Sequence, residues 1–260
     1  KPDGYLISAA QDPEVATILL DTARKQNAKY AFEGVEFGVV ERDRAVGGQL
    51  LTLRGLAGEY PEIELPLHGE HQGQNASLAL AAVEAFFGGD RALARDVVLA
   101  GFAQVRSPGR LEMIRSEPLV VLDAAHNPHG VRAASTAFKE AFELSHVHAV
   151  VGILGEKDAL GIFEVLREEY VDSTDATFRL YLSASDSSRA IAPEELQEIA
   201  LDAGFDEDTI TVCDHLDEAL ATAMENALFE QESAGVLVTG SVTVIGEART
   251  LLAAHEEAKT

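Results

Sequence analysis

The sequence predicts an α/β protein: the remnant of an α/β domain carrying a small sheet, followed by a Rossmann-like domain whose mostly parallel sheet is covered by helices on both faces. Three observations predict it. From Arg110 onward, apolar runs alternate regularly with amphipathic helical segments, and parallel strands need the crossovers that such helices supply. The runs themselves, such as Leu119-Val120-Val121-Leu122, are apolar throughout, as strands buried on both faces are. A break at Ser107-Pro108-Gly109 separates this regular half from a less regular first half, because Pro followed by Gly interrupts helix and strand alike.

In the first half, residues 13–27, 71–88 and 91–101 read as helices, the second marked by Ala76, Leu78, Leu80, Ala81, Val83 and Phe87 on successive turns. Strand candidates lie at 35–40 and 49–53, a hairpin separated by a charged stretch ending in Gly47-Gly48, and at 63–67. In the second half, strands are expected at 119–122, 149–153, 178–182, 209–212 and 235–239, and helices at 128–143, 159–170, 193–203, 216–230 and 242–254. The helix opening at Pro128 shows its core stripe in Val131, Ala134, Phe138, Ala141 and Phe142. Domains of 1–107 and 108–260 follow.

With 47% hydrophobic residues in 260, the chain can bury two ordinary cores. No apolar run is long enough to span a bilayer. A single cysteine, Cys213, excludes an internal disulfide and fits a cytoplasmic setting; no motif pairs it with a histidine, so it reads as a small buried hydrophobe. A net charge of −24 opposes nucleic acid or an acidic membrane as partner. Clusters such as Glu194-Glu195, Asp206-Glu207-Asp208 and Glu256-Glu257 read as solvated faces.

The most informative stretch is DAAHNPHG at 123–130, where an apolar run ends on Asp123 and turns into a helix through His126, Asn127 and Pro128. Asn as cap and Pro as first helical residue build an anion-facing helix start. The dinucleotide fingerprint G-x-G-x-x-G is missing, and Gly240-Ser241 does not replace it.

These residues resemble the folylpolyglutamate synthase and dihydrofolate synthase branch of the Mur ligases. The segment from Leu67 to Ala76 resembles that family's G-x-H-Q-x-x-N-A, Pro108-Gly109-Arg110-Leu111-Glu112 its P-G-R-[LF]-E, and 123–130 its D-[AG]-A-H-N-P-x-[GA]; GILGEKD at 152–158 and VTGSVTVIGE at 238–247 complete the series. The small pair Ala124-Ala125 favours the folate branch. The resemblance implies an ATP-dependent ligase that adds L-glutamate to a folate or dihydropteroate acceptor through an acyl phosphate, with ATP and Mg2+ required, in the cytoplasm and as a monomer when full-length. The chain departs from the family at Thr243, where relatives often carry Tyr. No Gly-Lys-Ser or Gly-Lys-Thr occurs in it, and the family's P-loop, carbamylated lysine and metal ligands lie upstream of the matching region. The expectation is therefore a carboxyl-terminal part of such an enzyme, cut inside its ATPase domain and inactive alone.

Each site residue carries two readings. Asn75 reads the adenine edge, since an amide both donates and accepts, or caps and braces its own helix. His71 is read as structural. Arg110 offers a planar fork to phosphate oxygens, or is a surface arginine beside a turn. Asp123 accepts from ribose hydroxyls at the ligand side of a parallel sheet, or forms an Asx turn. His126 is the catalytic candidate, bridging toward phosphate or incoming substrate, or a satisfied loop histidine. Lys157 and Arg189 receive the carboxylates of the incoming glutamate, or form ordinary surface pairs. No metal ligand is assigned. The competing functions are a non-catalytic nucleotide-binding α/β module and a muramyl-peptide ligase.

Overall fold

A computed structural model describes the backbone of residues 1–257 and the side chains of 1–254; the expected acidic pair Glu256-Glu257 lies outside the described side chains. The chain divides into two compact units, Lys1–Arg106 and Ser107–Thr260.

In the first unit, β1 (Tyr5–Ser8) and β2 (Lys29–Phe32) form a parallel pair connected by α1 (Pro13–Lys25). Neither strand is expected from the sequence, because four residues are too short to show a period. A three-stranded antiparallel sheet of β3 (Gly38–Ala45), β4 (Gly48–Arg54) and β5 (Glu59–Leu65) follows. The hairpin is present, but its first strand runs straight through the charged stretch that was expected to separate the strands. Ala45 pairs with Gly48 across Val46-Gly47, and Glu41, Arg42, Asp43 and Arg44 sit in an arm with little burial, held by backbone pairing and by cross-strand contacts such as Arg42 Nε to Gln49 Oε1 (2.7 Å). Leu51, Leu53, Ile63 and Leu65 pack with Ala76 and Leu80 of α2 (Glu70–Phe86) and Val98 of α3 (Arg95–Ala103). Helix α3 starts four residues later than expected. The fully buried Glu84 carboxylate accepts from Leu56 N, Ala57 N (3.2 Å) and the Tyr60 hydroxyl (2.6 Å) and thereby pins the β4–β5 loop.

The second unit is a six-stranded sheet in the order β10-β9-β8-β11-β7-β6. Its strands are β6 (Glu112–Ser116), β7 (Leu119–Leu122), β8 (His146–Val151), β9 (Thr177–Leu182), β10 (Ile210–Val212) and β11 (Ala234–Thr239). All neighbours are parallel except β6, which pairs antiparallel with β7 at the edge. The sequence reading missed β6, since EMIRS is the polar, half-exposed pattern by which an edge strand avoids further pairing.

Helices α4 (Pro128–Ala141), α5 (Ala159–Arg167) and α6 (Pro193–Asp202) bury Val131, Phe138, Phe163 and Leu196 on one face with Val121, Ala149 and Leu237. On the other, α7 (Leu216–Phe229) and α8 (Val242–Glu257) bury Leu220, Ala223, Ile245 and Leu252 with Val120, Leu122 and Val238. Because successive residues of β7 and β11 enter different cores, both must be apolar, which is why these strands read as continuous runs. The helix expected over 159–170 changes at Glu168–Asp172 into a π-helical turn that buries Tyr170, stacked on Phe178 with ring centroids 4.7 Å apart. Cys213 is buried, and burial pushes its thiol up to about 11. Among the described residues no helix is long and apolar enough to cross a membrane.

One polar group interrupts the second core. His148 on β8 is 2% exposed. Asn226 donates to the Tyr181 hydroxyl (2.8 Å), which is hydrogen-bonded to His148 Nδ1 (2.9 Å), while His148 Nε2 lies 3.8 Å from Glu230 Oε1. Burial lowers the His148 pKa to about 4 from 6.5, with Glu230 opposing and Arg179 and His146 assisting. The unfolded chain then binds the extra proton first as pH falls. This group's contribution to stability is full above about pH 6.5 and falls through pH 4, by up to roughly 3 kcal/mol. Urea unfolding at pH 4.5 and pH 7 should show a smaller difference for His148→Phe than for the native protein; an equal difference would locate the acid sensitivity elsewhere.

Candidate functional site

The carboxyl ends of β7, β8, β9 and β11 carry the loops 123–127, 152–158, 183–191 and 240–241 along one edge of the sheet, the side on which open parallel sheets bind ligands. The loops are locked together through their backbones. Asp123 N donates to Val238 O (2.9 Å), Gly240 N to Ala125 O (3.2 Å), Gly155 N to Arg189 O (2.8 Å) and Ile191 N to Ile153 O (3.0 Å). Gly240 has φ +107°, and a Cβ there would lie 2.6 Å from Gly152 O, so the crossing of the β8 and β11 ends tolerates no side chain. That close approach accounts for Gly240, and a Cβ on Gly152 would in turn meet Val244 Cγ2 at 2.7 Å and Ser183 O at 2.8 Å.

At the opening of α4, Asn127 caps the helix by accepting from Gly130 N at 2.8 Å, with Pro128 in the first turn. His126 Nδ1 lies 2.9 Å from Ala124 O. A carbonyl can only accept, so the ring proton sits on Nδ1, and neutral His126 keeps its lone pair on Nε2.

Asp123 is 4% exposed. Its Oδ1 accepts from Ala125 N (2.8 Å), the expected Asx turn, and its Oδ2 accepts from Leu111 N (3.0 Å). Burial pushes this carboxyl up, opposed by the two amides and the charge of Arg110. Both oxygens thus accept from backbone amides, and Asp123 holds the loop that presents Arg110. That loop is sharply bent, with φ +72° at Gly109 and +44° at Leu111. Arg110 is exposed, and its side chain makes no hydrogen bond among the described residues.

Of the other expected site residues, Arg189 is not free, because its Nη1 donates to Glu156 Oε1 at 2.8 Å. Lys157 is half-buried beside it, with its amide on Leu154 O (2.9 Å). Asn75 belongs to the first unit, exposed on α2, where its Nδ2 lies 3.3 Å from Gln72 Oε1. Sequence reasoning missed three participants. Ser241 Oγ accepts from Val244 N (3.2 Å) at the start of α8, Glu247 Oε2 accepts from Asp186 N (3.1 Å), and Arg249 holds Glu112. Ser241 and Glu247 fall inside a recognised segment; Arg249 falls in none. Among the described residues no three His, Cys, Asp or Glu side chains could hold a metal ion.

Residues 109–242 match the family model described as "Mur ligase, glutamate ligase domain". The chain belongs to the Mur ligase family. This Mur ligase chain is 42% identical over 96% of its length to the dihydrofolate synthase/folylpolyglutamate synthase of Mycobacterium tuberculosis, of which it covers 52%. It is 29% identical over 89% of its length to the folylpolyglutamate synthase of Lacticaseibacillus casei, again covering 52%. Its fold matches the crystal structure of Mycobacterium tuberculosis folylpolyglutamate synthase complexed with ADP and AMPPCP, with a TM-score of 0.85 and 41% identity, over 93% of this chain and 53% of that one. The chain therefore spans about half the length of the curated relatives it matches.

Proposed function

We propose that the chain belongs to an ATP-dependent ligase that joins L-glutamate to a folate or dihydropteroate carboxyl, with residues 1–107 part of its ATPase domain and 108–260 its glutamate ligase domain. The observation that carries this reading is Arg110: an exposed guanidinium, unpaired among the described residues, held by the buried Asp123 at the ligand edge of a parallel sheet. The relatives' names and the bound ADP and AMPPCP of the similar crystal structure support it.

In this reading the acceptor carboxylate attacks the γ-phosphorus of ATP, giving an acyl phosphate and ADP. The glutamate amine then attacks the acyl carbon, forming the amide and releasing phosphate. The protein's share is positioning and charge stabilisation. Arg110 neutralises phosphate oxygens with its planar fork. His126 Nε2 takes the proton that the attacking amine must lose. Lys157 and Arg189 receive the carboxylates of glutamate, and Arg189 can do so by exchanging the Glu156 carboxylate for one of the substrate. Asn75 reads the adenine. Mg2+ bound with the nucleotide would help to neutralise its phosphates, though no three described His, Cys, Asp or Glu side chains could hold it; Arg110 and the Asn127-capped helix start bear on the anion. A monomeric cytoplasmic enzyme without nucleic-acid or membrane partners fits the acidic composition.

Incubation of the complete gene product with ATP, labelled glutamate and each acceptor in turn tests the reading. ADP should form and label enter product only with dihydropteroate or a folate. Turnover on muramyl peptides instead would move the chain to another branch of the family, and nucleotide binding without turnover on any acceptor would make it a binding module.

A further inference from the structure

We propose that Arg249 on α8, acting through Glu112, is a positioning residue for the phosphate grip of Arg110. The inference rests on the reading that Arg110 contacts nucleotide. The amides on either side of residue 110 are each bound by a carboxylate: Leu111 N by Asp123 Oδ2 (3.0 Å) and Gly109 N by Glu112 Oε2 (2.7 Å). Asp123 is buried and fixed by its own Asx turn. Glu112 has no such support from its neighbours in sequence; it lies on an edge strand with its side chain 27% exposed. What orients it is Arg249, whose guanidinium engages both carboxylate oxygens, Nη1 to Oε1 at 2.7 Å and Nη2 to Oε2. A two-pronged contact fixes direction as well as distance, which a single charge does not. The ion pair also holds Glu112 below the usual carboxylate range, so the acceptor stays ionised.

The same helix supports the loop by contact. A Cβ on Gly109 would meet Ile245 Cγ2 at 3.0 Å, and Ile245 lies one turn before Arg249 on the same side of α8. Gly109 O accepts from Ala124 N (2.7 Å), and Arg110 N donates to Ser107 O (3.1 Å), whereas Gly109 N depends on Glu112, which Arg249 orients. With Arg249 removed, Glu112 is drawn to solvent, Gly109 N loses its acceptor, and the left-handed turn at 109–111 loses one of its two anchors. The Arg110 fork then samples orientations that miss the phosphate.

The test compares Arg249→Met, Arg249→Lys and Arg110→Ala in the complete gene product, measuring KM for ATP, KM for glutamate, kcat and thermal stability. Arg249→Met should raise KM for ATP about tenfold or more, leave KM for glutamate within about twofold, and give less protection of the Gly109 amide in hydrogen exchange. Arg249→Lys, a charge without the fork, should fall between. If Arg249→Met is less stable but binds ATP normally while Arg110→Ala does not, Arg249 is only a brace and the proposal fails alone. If Arg110→Ala itself uses ATP normally, the underlying site assignment fails. Should the methionine variant not fold, an unchanged KM for ATP in Arg249→Lys overturns the proposal equally.

Discussion

Arg110→Ala in the complete gene product should weaken nucleotide binding by roughly 1.5–3 kcal/mol, the worth of a charge-assisted hydrogen bond, or about 10- to 100-fold in affinity. Titration calorimetry with a non-hydrolysable ATP analogue reads this directly, and turnover should fall at least as far, because the transferring phosphoryl group carries its charge into the transition state. The protein's unfolding free energy should hardly change, since the side chain is exposed and makes no hydrogen bond among the described residues. Arg110→Lys should recover part of the affinity through charge and the remainder not at all, because an ammonium lacks the planar fork. Wild-type affinity in the alanine variant would refute the placement of phosphate at this loop.

Asp123→Ala should have the largest effect on stability at the site. It leaves Leu111 N and Ala125 N without acceptors in a buried place, at about 1–3 kcal/mol each. The carboxylate's own desolvation, visible in its raised pKa, is relieved by the substitution and offsets part of the loss, so a net decrease of roughly 2–4 kcal/mol is expected in urea unfolding. Asp123→Asn retains one acceptor oxygen and should lose about half as much. Both should weaken nucleotide binding through the loop they release. A variant that is destabilised yet binds nucleotide normally would show that the 109–111 turn holds Arg110 without Asp123.

Much of the second unit was legible because burial on both faces writes itself into side chains. Leu119 to Leu122 and Gly235 to Thr239 are apolar runs since alternate residues enter opposite cores, and the Asn127-Pro128 start of α4 is a local signal with a local cause. Where strand pairing has little apolar burial behind it, side chains carried no periodic signal. The charged arm Glu41 to Arg44 reads as loop but pairs as strand, and β1, β2 and β6 are too short or too polar to show a period. The two histidines of β8 likewise hide a central strand that begins three residues before its expected start.

The same division runs through the site. Sequence by itself determined the class of fold, the loop-to-helix turn at 123–130 and the presence of a guanidinium at 110, because these follow from neighbours a few residues apart whose propensities and hydrogen bonds are local. Only the tertiary structure decided that β11 inserts between β7 and β8, that Asp123 spends both oxygens on backbone, that Arg189 is paired with Glu156, and that Arg249 reaches Glu112 across 137 residues of sequence. Those are choices among many chemically equivalent partners, and what selects one is the shape of the packed cores, which no stretch of chain contains on its own.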